Sequence, residues 1–281
     1  MLSLLSNFLD RLRVFFAPQS PMTLAMTEAH RDFLARAVDF YAALSSCDKE
    51  KFEHRCLSFL SATEVIGHDV VVSDEDKLLV AAGSVILAWG FPQWHYVKVD
   101  QVFLVSGAFN EHANIGEADS NITGLVGTHH MRGKMILSQA ALHKGFYNGK
   151  DKRNVAIHEF AHLIDMADGD VDGLPSQVAQ SKFALPWLEL IDQKINDIEQ
   201  SGSDIRDYAA TNRAEFFAVA TEYFFERPKL LRRKHPEIYR SLERFYQQNR
   251  SAVQTQLRIR KKSPCPCGSG KRYKRCCLIS G

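Results

Sequence analysis

The sequence predicts an α+β fold that is mostly helical, with a small mixed sheet beside a helix carrying a metal-type motif. Three observations lead there. Segments with apolar residues at helical spacing alternate with a few short runs rich in β-branched residues, the pattern of helices packed on a small sheet. The stretch His158-Glu159-Phe160-Ala161-His162 reads H-E-x-x-H, inside an apolar body of Val155, Ile157, Leu163 and Ile164 suited to a buried helix. The length of 281 residues, 45% apolar, allows one substantial core plus an appendage.

The elements follow in order. Residues 28–44 and 49–60 read as helices, and 65–72 as a strand. Residues 74–89 read as a helix begun by a Ser73 cap. Residues 97–105 show the β-branched alternation of a strand. Residues 123–130 and 134–138 form an expected hairpin turning near Arg132 and Gly133, with His129 and His130 as surface residues on it. The second hairpin strand ends just upstream of the motif helix, which makes it the candidate edge for pairing with an extended peptide. After the motif helix, 169–175 reads as a loop, followed by helices near 182–200, 213–225 and 236–249. No internal repeat is present.

On a helix, residues four apart share one face, so His158 and His162 can converge on one metal ion. Glu159 then projects beside the ion, where a carboxylate can take a proton from water. This is the pattern of a zinc hydrolase, and a catalytic zinc takes three protein ligands. Asp168 stands where a third histidine sits in the extended H-E-x-x-H-x-x-G-x-x-H motif, but Asp165 occupies the position of the glycine that reverses that chain. Asp165 itself reads as an acceptor supporting His162 or as a solvated acid on the helix edge. Glu215 is the stronger candidate, in an apolar helix where a carboxylate is costly to bury unless paired or metal-bound. Glu222, two turns later on nearly the same face, competes for the role, orients a ligand histidine or binds a neighbouring basic group.

The run from Asn154 to Met166, then Asp170-Val171-Asp172-Gly173, then Tyr208 through Ala218 to Phe225, closely resembles the MtfA (Mlc titration factor A) family of zinc peptidases. Their catalytic region is related to that of anthrax lethal factor. The similarity runs from about Phe52 to Tyr246. The resemblance implies a gluzincin-like zincin domain with zinc on His158, His162 and Glu215, Glu159 as general base, and Tyr208 stabilising the tetrahedral intermediate. It implies a peptide or protein substrate, with aminopeptidase activity within its range. It also implies an alternative from another class: a regulatory protein that sequesters an Mlc-like repressor.

A second metal-type motif lies at the other end. Cys265, Cys267, Cys276 and Cys277 are four of the six cysteines, and four thiolates joined by short loops can close a structural zinc site. The pattern looks like the SEC-C motif, which implies a small zinc knuckle that binds a protein partner. The usual MtfA-type chain lacks this tail. The expected organisation is therefore an amphipathic segment over 1–21, a peptidase domain over 22–250, a basic linker over 251–263 and the SEC-C motif over 264–281, with one catalytic and one structural zinc.

Net charge of +2 gives no general attraction to nucleic acid or membrane. Arg258, Arg260, Lys261, Lys262, Lys271, Arg272, Lys274 and Arg275 do crowd into the tail, where they are either a solvated surface or a patch for an acidic protein, phosphate or lipid surface. Leu2, Leu4, Leu5, Phe8, Leu9, Leu12, Phe15 and Phe16 form a stripe too short and too charged to span a membrane or to serve as a signal core. It docks on its own domain or lies on a membrane surface. Cys47 and Cys56 read as ordinary reduced residues in helices, and thiolate zinc chemistry without a secretory signal points to the cytoplasm.

Overall fold

Side-chain caps start the helices that matter most for the site, and apolar alternation builds the sheet beneath them. The computed structural model describes residues 24–91, 99–111, 114–127, 131–149, 151–179 and 181–250. The N-terminal stripe, His129, His130, the basic linker and the four tail cysteines lie outside them.

Helix α1 (Glu28–Ala37) begins at a capping box made by Thr27 and His30. The expected single helix over 28–44 is divided. Val38 is extended (φ −116°, ψ 94°), and a short α2 (Asp39–Ala42) follows. The reason is tertiary, since Phe40 and Tyr41 turn onto Phe52 at ring distances of 5.9 and 5.4 Å. Helix α3 (Ser46–Ala62) is capped by Ser45 and carries Cys47, exposed, and Cys56, buried, both as free thiols. Strand β1 (Glu64–Gly67) is shorter than expected. Helix α4 (Asp74–Ala88) opens at the Ser73 cap, with Ser73 Oγ accepting from the Asp76 amide at 3.1 Å and Asp76 Oδ2 from the Ser73 amide at 2.8 Å.

Strands β2 (Gln101–Val105), β3 (Gly124–Val126) and β4 (Lys134–Ser138) complete a four-stranded sheet of order β1-β2-β4-β3. β1 and β4 both run parallel to β2, and β3 is antiparallel to β4. Alternation along the strands sorts side chains to two faces. Val102, Leu104, Met135 and Leu137 enter the main core, while Phe103, Val105 and Ile136 enter a smaller one with Phe109 and Met131. Both faces of β2 and β4 are thus buried, as expected of strands in a parallel pair.

This order corrects one expectation. The second hairpin strand, β4, is interior, because β2 occupies the side that a simple hairpin would leave open. The free edge nearest the motif helix belongs to β3.

Helix α5 (Gln139–Tyr147) follows β4 directly and leads to the motif helix α6 (Val155–Asp165). A 3-10 turn (Met166–Asp168) ends at Gly169, whose φ of 103° suits glycine at the close of a helix. Beyond the loop come α7 (Ser176–Ala179), α8 (Ala184–Ser201), α9 (Arg213–Glu226), α10 (Pro228–Lys234) and α11 (Pro236–Tyr246). Phe217, Phe224, Phe225 and Tyr246 pack α9 against α11, with ring distances from 5.0 to 6.5 Å. No helix among the described residues is long and apolar enough to cross a membrane.

Candidate metal centre

Asn154 starts α6 by accepting the Ile157 amide on its side-chain oxygen at 3.2 Å, and Asn212 starts α9 by accepting the Glu215 amide at 2.9 Å. The two caps set the rotation of two helices that pack side by side, and so bring His158, His162 and Glu215 together. One donor atom from each lies within 4.8 Å of the others. His158 Nε2 is 3.1 Å from Glu215 Oε2 and 3.2 Å from His162 Nε2, and His162 Nε2 is 3.5 Å from Glu215 Oε2. Two imidazole nitrogens and one carboxylate oxygen converging in this way are a donor set that fits zinc. Asp168 is not in the cluster. Its carboxylate accepts the Asp170 amide at 3.3 Å instead.

Glu222 lies behind His158. Its Oε1 is 2.7 Å from His158 Nδ1, its Oε2 accepts the Asn154 amide at 2.7 Å, and Arg206 also donates to Oε1. A carboxylate only accepts, so Nδ1 carries the proton and Nε2 is turned toward the cluster. Asp165 is fully buried, which overturns its reading as a solvated acid. Its Oδ2 accepts the Gly173 amide at 3.0 Å, and burial pushes its carboxyl up to about 6.

Glu159 is 5% exposed and sits against the start of β3. A side chain at Gly124 would meet Val155 Cγ2 at 2.6 Å and Glu159 Cγ at 2.7 Å, so only glycine permits this approach of sheet to helix. Burial raises the Glu159 carboxyl above its ordinary range. Burial also disfavours the charge on His158, but the carboxylates of Glu222, Glu215 and Glu159 more than offset this and hold it at about 10. Glu215 shows the reverse balance, since burial opposes its charge while His158 and His162 hold it well below the carboxylate range. Tyr208, on a 3-10 turn (Asp207–Ala210), is half-exposed with its ring 6.1 Å from that of His158. Burial, with the nearby Glu215 and Glu159, pushes its phenol up to about 12.

His158, Glu159, Tyr208 and Glu222 line a cleft of about 890 Å³ that is also lined by Ile122, Thr123 and Gly124 at the β3 edge. A family model described as glucose-regulated metallo-peptidase M90 matches residues 19–247.

The chain belongs to the M90 metallo-peptidase family.

The M90 match begins well before the Phe52 expected from the motifs. A SEC-C motif model matches residues 262–278. Among similar proteins, an uncharacterized protein of Synechocystis sp. is 33% identical over 227 residues, covering 76% of this chain and 81% of the relative. Mlc titration factor A of Escherichia fergusonii is 39% identical over 102 residues, and that of Yersinia pestis 36% over 103. Both cover 34% of this chain and 38% of the relative, so the chain spans well under half the length of these titration factors.

A basic partner for Glu222 was expected without its identity, which is Arg206, and Gly124 was missed as the contact that seats Glu159. Neither has a local signal. The Asn154 cap was also not read, although an Asn before an apolar helical run is its local signal.

Proposed function

We propose that this M90 chain is a zinc-dependent peptidase. The reading rests on one observation: three donor atoms from two helices meet within 4.8 Å, with the Glu159 carboxylate beside them in an open cleft. When bound by His158, His162 and Glu215, zinc supplies the Lewis acidity that makes a water acidic near neutral pH and polarises the scissile carbonyl. Glu159 would accept a proton from the attacking water on its carboxylate and pass it to the leaving amine. Its raised pKa suits both steps. The Tyr208 phenol, which stays protonated at neutral pH, donates a hydrogen bond to the developing oxyanion. Glu222 holds His158 in the tautomer that presents Nε2. The open edge of β3 offers main-chain groups to an extended substrate, largely independent of its sequence. An aminopeptidase is one form this activity takes in the reading.

Glu159→Gln tests it. Zinc content should remain at the wild-type value while peptide hydrolysis falls about a hundredfold or more. Cleavage near the wild-type rate would remove the basis of the reading. A second task is supported by the name of the titration-factor relatives: binding an Mlc-like repressor. The Cys265, Cys267, Cys276 and Cys277 tail, read as a structural zinc knuckle, would add a protein-binding surface. Repressor binding that survives Glu159→Gln would separate the two tasks.

A further inference from the structure

The cleft has one wall whose charges the peptidase chemistry does not use. Lys144, in the last turn of α5, and Arg153, just before the Asn154 cap of α6, both line it and are both exposed. The two belong to one patch because α5 and the start of α6 touch. A side-chain carbon on Gly145 would lie 2.9 Å from Asn154 Cα. Among the described residues neither cationic side chain has a hydrogen bond or an ion pair.

Four carboxylates also line the cleft, and none is matched to this pair. Glu159 is the base. Glu222 is taken by His158, the Asn154 amide and Arg206. Glu111 lies on the connection from β2 to β3, and Asp207 beside Tyr208. Asp151 is close in sequence, but its carboxylate accepts the Arg153 amide and the Asn148 side chain rather than the guanidinium. Local energetics do not explain Arg153. The N-terminus of a helix carries partial positive charge and repels a cation placed beside it. A cation there, next to a second one, on the wall of a cleft that His158 also lines, is placed to meet an anion from outside the chain.

Resting on the peptidase reading above, we propose that Lys144 and Arg153 select substrates, and that the favoured substrates are peptides bearing a carboxylate close to the scissile bond. The carboxylate comes from an acidic side chain or from a free C-terminus, which present the same chemistry. Arg153 can engage it through two parallel N–H groups and Lys144 as a point charge. The first turn of α6 adds its dipole to the same side.

The test uses the zinc-loaded full chain and four versions of one peptide. A Glu or a Gln stands beside the scissile bond, and each version has a free or an amidated C-terminus. The carboxylate-bearing versions should show kcat/KM about tenfold above the neutral one, the scale of one charge-assisted hydrogen bond in a half-open site. The Glu and free-terminus arms tell which source is read. In Lys144→Gln/Arg153→Gln the preference should fall to about twofold or less, and in Lys144→Glu/Arg153→Glu it should turn toward a fifth peptide with Lys at the same position. Anisotropy of the same labelled peptides on Glu159→Gln should show the same order of affinities, weakening with salt. Equal cleavage of all four peptides would overturn the inference and leave the peptidase reading standing. A wild-type preference that persists in the double variant would overturn the assignment to these two residues. No cleavage of any of the four would sink both.

Discussion

At the N-terminal end of α6 both nitrogens of His158 have partners, Glu222 on one side and Glu215 on the other. At the C-terminal end, among the described residues, His162 Nδ1 and Asp165 Oδ1 are buried with none. The first end is fixed by hydrogen bonds that converge on one carboxylate, and the second by packing of Leu163, Ile164 and the following Met166 in the core, with one side-chain hydrogen bond from the Gly173 amide to Asp165 Oδ2. Helix α6 therefore has one end whose geometry is specified and one that is mainly confined by packing. The specified end is also where Glu159 meets the sheet and where the cleft opens.

Four substitutions sharpen or break this contrast. Glu215→Ala should act most strongly, because Glu215 faces both histidines and so serves both ends. The full chain should lose one zinc, a larger loss of affinity than the 10- to 100-fold typical of a supporting residue. Unchanged metal content would move the third ligand to Glu222 or Asp168. Glu222→Ala should keep zinc but bind it about 10- to 100-fold more weakly. It should also cost about 3 kcal/mol in urea unfolding, since it strands Arg206 and the Asn154 amide. If it proves as mild as a surface change, the N-terminal end is not specified as described. Gly124→Ala should lower kcat about tenfold by displacing Glu159, at wild-type zinc content.

Asp165→Asn probes the confined end and should do least. Burial raises this carboxyl to about 6 in the folded chain, against the ordinary value near 4 when unfolded. The folded state thus favours the neutral acid, and the stability this gives is present below pH 4 and lost as pH rises through 6. Metal-free wild type should lose on the order of 2 kcal/mol relative to the variant between pH 4 and pH 7. Parallel stability curves in urea melts would show that Asp165 is not strained in this way.

What was legible in the sequence divides along the same line. The H-E-x-x-H helix, the Ser73 cap and the partner carboxylates on one later helix are all local patterns. The interior place of β4 was not legible, because strand order is decided by which neighbour occupies an edge and not by the strand itself. Helix α5 was missed for a related reason. Gly145 weakens its helical signal, and the glycine is there to let α5 touch Asn154. The division of 28–44 at Val38 has no Gly or Pro to announce it. Arg206 reaches Glu222 across 16 residues and a turn, a contact that only the packing of α9 defines.

The spacing of the three donors has one more consequence. His158 and Glu215 are 57 residues apart, so an ion held between them staples a long loop of chain. By the loop-entropy reasoning used for disulfides, such a staple restricts the unfolded chain by about 4 kcal/mol. Removing the ion should therefore lower global stability in urea by about that amount, while Trp187, Ile191 and Ile198 keep α8 seated in the core of the folded chain.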